Sequence, residues 1–235
     1  MDELKSNKAD YAVLIAKGAV GAIPYLGGIA SEIIGTLIPN QRIDRIVRLL
    51  EKLDVRLGDL ESERIRDKLR QPDVIDLIED SFHQAARALS DERLAYLAAL
   101  LAGGITDDAI SYEETKRLLG ILGEINDVEV IILASHHTSR HPQRDPAFWQ
   151  RHEAALAPRA PHSGSSEKEM DAAAIHNSYK QHLVQLQLLT SSFPSVRRGE
   201  VPEFDRATGM MKASSYDLTW LGRLLLRRIA MAPAD

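Results

Sequence analysis

From Tyr11 to Pro39 the chain is apolar at most positions, with Lys17 and Glu32 as its two charges and Gly21, Gly28 and Gly35 spaced seven residues apart. Seven residues are close to two helical turns, so on a helix these glycines form one smooth stripe that another helix can approach closely. The segment does not suit a single membrane span. Its charge-free piece, Gly18 to Ser31, is shorter than the roughly 18 to 20 residues a bilayer requires. Lys17 and Glu32 would each cost roughly 2.5 to 3.5 kcal/mol at the bilayer centre, and Pro24 removes a backbone donor within the run. The pattern predicts a helical hairpin, about Leu4 to Ala22 and Gly28 to Ile38, turned at Ile23-Pro24-Tyr25-Leu26-Gly27. Its close-packing positions are Gly18, Gly21, Pro24, Gly27, Gly28 and Gly35. Three destinations stand open to it: a permanent place in the core, conditional insertion into a membrane or binding at a lipid surface, and an interface between copies of the chain.

Beyond Pro39 the periodicity changes. Ile43, Ile46, Leu50, Leu53, Leu57 and Leu60 alternate steps of three and four, which predicts an amphipathic bundle helix whose other faces carry mixed charges. Pro72 opens the next helix, with Val74, Ile75, Ile78, Phe82, Ala85, Ala86 and Leu89 as its apolar face. Ser90 caps a third, expected to end at Gly103-Gly104. The first hundred residues therefore predict an α-helical bundle.

In the second half, Ser111/Glu114, Asn126/Glu129 and Ser166/Glu169 have the three-residue spacing of a capping box. The β-branched residues Val128, Val130, Ile131 and Ile132 leave a strand open after the second of these. Residues 138–166 form a Pro-, His- and Ser-rich connector interrupted by a short helix around Pro146-Ala147-Phe148-Trp149. A long helix is expected from Ser166 to about Thr190, then two short strands or a loop from Ser191 to Tyr216, and a final helix from Asp217 to Ala230 striped by Leu218, Leu221, Leu225 and Ile229. The expected fold class is all-α or mostly α. A bundle with a glycine-rich apolar hairpin occupies residues 1–105, and a winged-helix-like module occupies 106–235.

Composition narrows the function classes. The net charge of -5 gives no global field for a polyanion, so nucleic-acid binding would need a local basic face. Cysteine is absent from the sequence, which removes disulfides, thiolate nucleophiles and Cys-ligated zinc and fits a reducing cytoplasm. No basic leader with a small-residue cleavage site precedes the apolar run.

Leu186, Leu189, Tyr216, Leu218, Thr219, Leu221 and Gly222 give a helix with an L-x-x-L end followed by an L-T-x-L-G helix. That order resembles the end of a winged-helix domain and the tail of bacterial Abi-alpha-type abortive-infection proteins. The N-terminal Gly21 to Arg45 stretch is similar in type to HeLo-like cell-death modules and to the hydrophobic hairpin of colicin pore domains. The resemblance implies a defence or self-intoxication protein that perturbs its own cell's membrane; the partners expected are the inner membrane and, through the glycine stripe, further copies of the chain as a homo-oligomer, with the protein partner or trigger left open.

Candidate chemistry is sparse. His136, His137 and His141 form a cluster in which His137 and His141 are four apart, but Pro142 disfavours a helix at His141 and no glutamate lies inside the pair, so no metal is expected. G-x-S-x-G, P-loop and G-x-G-x-x-G patterns do not occur. Asp73, Asp76, Glu79 and Asp80 are expected to form a solvated acidic face. No enzyme and no cofactor are expected. The alternative reading is a soluble interaction or regulatory protein whose module contacts protein, or DNA phosphates through Arg197, Arg198, Arg206, Lys212, Arg223, Arg227 and Arg228.

Overall fold

The computed structural model describes residues 42–58, 62–107, 111–137, 141–156, 164–195, 201–204, 209 and 211–232. The expected hairpin, with Gly18, Gly21, Pro24, Gly27, Gly28 and Gly35, lies outside the described residues, as do Leu60, Arg197, Arg198 and Arg206. Among those described the chain is mostly helical, with ten helices and one two-stranded sheet. It divides into two compact units, one running to Glu124 and taking in Arg228–Ala230, the other comprising Ile125–Arg227 and the residues from Met231 onward.

The first unit contains α1 (Ile43–Leu57), α2 (Ser62–Leu69), α3 (Pro72–Arg87), α4 (Asp91–Thr106) and α5 (Tyr112–Glu124). The three-and-four periodicity of α1 buries Ile43, Ile46, Leu49, Leu50, Leu53 and Leu57, and the helix packs on α3 and α4. At about 1.5–3 kcal/mol per fully buried aliphatic side chain, this seam outweighs anything its exposed charges contribute. Pro72 stands in the first turn of α3, where its missing N–H costs nothing. The Ser90 hydroxyl accepts from Arg93 N at the start of α4.

Two expectations here need correction. Leu89 is 93% exposed rather than part of the α3 face, because α3 ends at Arg87 and the extended backbone of Ala88 and Ser90 breaks the helical phase. Helix α4 also runs through Gly103 and Gly104 to Thr106 instead of stopping there. A Cβ on Gly104 would lie 2.6 Å from Thr115 Cγ2, so this glycine serves the close crossing of α4 and α5 rather than a C-cap.

The second unit contains α6 (Asp127–Ser135), α7 (Pro146–Arg151), α8 (Glu153–Leu156), α9 (Glu167–Gln185), β1 (Leu189–Ser192), β2 (Ser215–Leu218) and α10 (Trp220–Arg228). All three capping boxes form: Ser111 with Glu114, Asn126 with Glu129 and Ser166 with Glu169. The second decides the residues after Asn126 for helix over strand, satisfying orphan N–H groups that β propensity leaves open.

Helix α9 ends at Gln185, short of Thr190. Gln187 adopts a left-handed φ of 60°, and the bonds Leu188 N to Leu183 O and Gln187 N to Val184 O complete a Schellman motif. Leu183 and Leu188, both buried, supply its apolar contact. Strands β1 and β2 then pair antiparallel, Leu189 opposite Leu218 and Ser192 opposite Ser215. Asp217 and Leu218 therefore belong to β2 and not to the last helix. The stripe inside the second unit's part of α10 is buried at Leu225 and Leu226.

Candidate functional site

The densest constellation of interacting side chains in the second unit surrounds Tyr216 on β2. The ring of His136, the residue capping the C-terminus of α6, meets the Tyr216 ring edge-on with centroids 6.4 Å apart. From α9, Lys180 Nζ lies 5.7 Å from the same ring centroid, and Gln181 Nε2 donates to the phenol oxygen at 3.2 Å. Burial pushes the His136 ring below its ordinary pKa and the Lys180 ammonium pushes the same way, against the opposing pull of a hydrogen bond to the Tyr216 carbonyl and the Asp217 carboxylate. Burial likewise lowers Lys180. One turn earlier on α9, His176 is lowered by burial and then by Lys180, while it bonds the Ala155 carbonyl.

Beside this group Glu129 is 2% exposed. One carboxylate oxygen accepts from Asn126 N at 2.8 Å, and the other lies 2.6 Å from His182 Nδ1. The same side chain therefore caps α6 and ties it to α9. Each of these polar groups finds an intramolecular partner, an arrangement that fixes α6, α9 and β2 to one another.

The L-T-x-L-G pattern has a structural meaning at the turn into α10. The Leu188 carbonyl accepts from Thr219 N at 3.1 Å, and the Thr219 hydroxyl has the Gln187 carbonyl at 2.7 Å and the Leu188 carbonyl at 3.0 Å as acceptors. The same hydroxyl oxygen accepts from Gly222 N at 3.0 Å, capping the helix. Gly222 lets the backbone of α10 approach that carbonyl, since a Cβ there would stand 2.4 Å from Leu188 O.

Arg197, Arg198 and Arg206 lie outside the described residues, and two of the four described basic residues are engaged by carboxylates. Lys212 pairs with Glu203 at 2.7 Å, and Arg228 bonds Asp107 at 2.7 Å within the first unit. Arg223 stacks on Trp220, its guanidinium carbon 5.9 Å from the ring centroid, and Arg227 is exposed. Sequence reasoning overlooked Trp220. Its position off the apolar stripe of the last helix was the available signal, and the structure leaves it 82% exposed.

Among the described residues no group of three or more His, Asp and Glu side chains could hold a metal ion. His136 faces Tyr216, whereas His141 Nδ1 accepts from Gln143 N at 3.4 Å. Two of the acidic residues of α3, Asp76 and Asp80, are bound rather than merely solvated. Lys116 of α5 bridges Asp76 and Asp80, the latter at 2.7 Å, and the Tyr112 hydroxyl donates to Asp76 at 2.6 Å. The Lys116 bond, then that of Tyr112, holds the Asp76 carboxyl below its usual range. A neighbouring cleft in the first unit, about 220 Å³, is lined by Gln71, Asp73, Leu77, Gly104, Asp107 and Tyr112. Tyr112 and Asp107 already engage Asp76 and Arg228.

Comparisons with protein-family models, curated proteins and solved structures found no match.

Proposed function

We propose that the chain is a conditional membrane effector of the defence or cell-death type, with the apolar segment 11–39 as its membrane-directed element and the C-terminal unit as its regulatory or interaction module. The observation that carries this reading is the segment itself: a run of 29 residues with two charges and three glycines in helical phase. No helix among the described residues is long and apolar enough to cross a membrane. A helical span, if the chain makes one, therefore falls to residues 11–39, inserted as a hairpin because Pro24 and the two charges oppose a single pass.

The order of α9, β1, β2 and α10 supports a winged-helix-like reading of the second unit. Intramolecular pairing of Lys212 and Arg228 favours protein contact over DNA contact for that module. The working form is a homo-oligomer packed along Gly21, Gly28 and Gly35, released by a protein trigger acting on the C-terminal unit.

Membrane fractionation and dye leakage from inner-membrane-like liposomes test the reading on the full chain. Membrane association and leakage are expected, with Gly28→Leu or Gly35→Leu reducing leakage more than Gly→Ala does. A protein that stays in the soluble fraction and leaves vesicles intact in both resting and triggered cells' conditions would sink it.

A further inference from the structure

Helix α10 presents a second lipid-directed feature, separate from the hairpin. Trp220, Arg223 and Arg227 fall at i, i+3 and i+7, so they share one helix face about 10 Å long. Trp220 is 82% exposed, a placement that contributes nothing to the core and leaves the largest apolar side chain in water. Arg223 stacks on it at 5.9 Å. Neither Arg223 nor Arg227 has a carboxylate partner among the described residues. In a chain of net charge -5, an unpaired cationic face built around an exposed indole is a local inversion of the overall field. Leu225 and Leu226 anchor the opposite side of the helix in the protein, which holds the face outward.

We propose that the Trp220–Arg223–Arg227 face docks on an anionic lipid surface, the indole at headgroup depth and the two guanidiniums on lipid phosphates. The inference rests on the membrane reading above and supplies its address: a peripheral contact that places the chain against the bilayer. Indoles favour the interfacial layer because one edge is apolar and the N–H stays wet, and guanidinium matches phosphate bidentately. Nucleic acid is the poorer fit. Specific duplex binders neutralise roughly 6–10 phosphates, whereas this face has two free cations and its basic neighbours Lys212 and Arg228 are engaged by Glu203 and Asp107.

The chain has two tryptophans, so Trp149→Phe leaves Trp220 as the sole indole reporter in the full-length protein. With vesicles of phosphatidylcholine containing phosphatidylglycerol, its emission is expected to shift to the blue and to be quenched by brominated lipid, with little change on pure phosphatidylcholine. Arg223→Gln and Arg227→Gln, both at surface positions, should each weaken binding to the anionic vesicles about fivefold. Co-sedimentation without any Trp220 shift overturns this proposal while leaving the hairpin reading intact. A Trp220 shift on anionic vesicles that never leak supports the docking face and counts against membrane disruption alone. A shift on duplex DNA at moderate salt, with none on vesicles, overturns it in favour of nucleic acid.

Discussion

Gly222→Ala adds one methyl group at the most crowded glycine among the described residues. The new Cβ would stand 2.4 Å from the Leu188 carbonyl oxygen and 2.7 Å from Leu218 Cδ1, against an ordinary carbon–oxygen approach of about 3.3 Å. The backbone of α10 would have to retreat by close to 1 Å, and the atom it retreats from is not free to yield. Leu188 O already accepts Thr219 N at 3.1 Å, and the Thr219 hydroxyl is held by Gln187 O at 2.7 Å with Leu188 O at 3.0 Å, so the retreat stretches the backbone bond and the hydroxyl bond that fix this turn. Overpacking costs about 1–3 kcal/mol and two weakened hydrogen bonds about 1–2 kcal/mol together. Alanine's higher helix propensity returns about 1 kcal/mol. The net destabilisation is about 1–4 kcal/mol, which lowers the Tm of a unit of roughly 100 residues by about 4–30 °C. Gly120→Ala is the internal control: position 120 lies inside α5 with nothing within 4 Å of the added carbon, so there the same change should stabilise by up to about 1 kcal/mol. Thermal melts by circular dichroism read both. Equal effects at the two positions, or a Gly222→Ala Tm within 2 °C of the parent, would refute the close approach of α10 to Leu188.

Gln187→Gly should raise stability by about 0.5–1 kcal/mol, because Gln187 holds a φ of 60° that a side chain resists and glycine adopts freely; urea denaturation with an unchanged m-value checks it. Stability should also fall as pH is lowered through the ordinary histidine range. Burial holds His136 and His176 below their unfolded pKa, so in that window the unfolded chain takes up protons the folded one resists, and the loss levels off only below the folded values. The groups facing them are Lys180 on α9 and Asp217 on β2. Melts at pH 7.5 and 5.5 should therefore differ, and a His136→Gln, His176→Gln double variant should flatten the dependence; an unchanged slope in that variant refutes the assignment.

Local chemistry was the legible part of this chain. The three capping boxes and the Ser90 cap each act within four residues, so their spacing alone locates helix starts. The α1 stripe was legible for the same reason, its period matching the geometry of one helix. Helix ends were less so. Gln187 terminates α9 in a conformation that composition assigns to glycine or asparagine, whereas Gly103-Gly104, the pair that looks like a terminus, sits inside α4. What requires a glycine at 104 is Thr115, a residue on another helix. The Tyr216 constellation was illegible because it draws His136, Lys180 and Tyr216 from three distant elements. In sequence His136 stands beside His137 and near His141, whereas in the fold its group is completed by Tyr216 and Lys180, far away along the chain.

Glycine carries two meanings in this protein, and the distinction bears on the segment 11–39. Gly104 and Gly222 stand where a side chain would collide with a neighbour, and Gly120 stands where it would meet nothing. A glycine's identity therefore does not by itself argue for close packing here. What distinguishes Gly21, Gly28 and Gly35 is their common phase within a stretch of two charges, a pattern that one isolated permissive glycine does not produce. The two proposed lipid contacts would also draw on different forces. Burial of an apolar hairpin scales with area and is little affected by salt, whereas the Arg223 and Arg227 contacts act through charges that salt screens within about 10 Å at 0.1 M. On the proposed reading, a reversible electrostatic dock and a costly apolar insertion would suit successive roles, the first holding the chain at the surface at which the second is released.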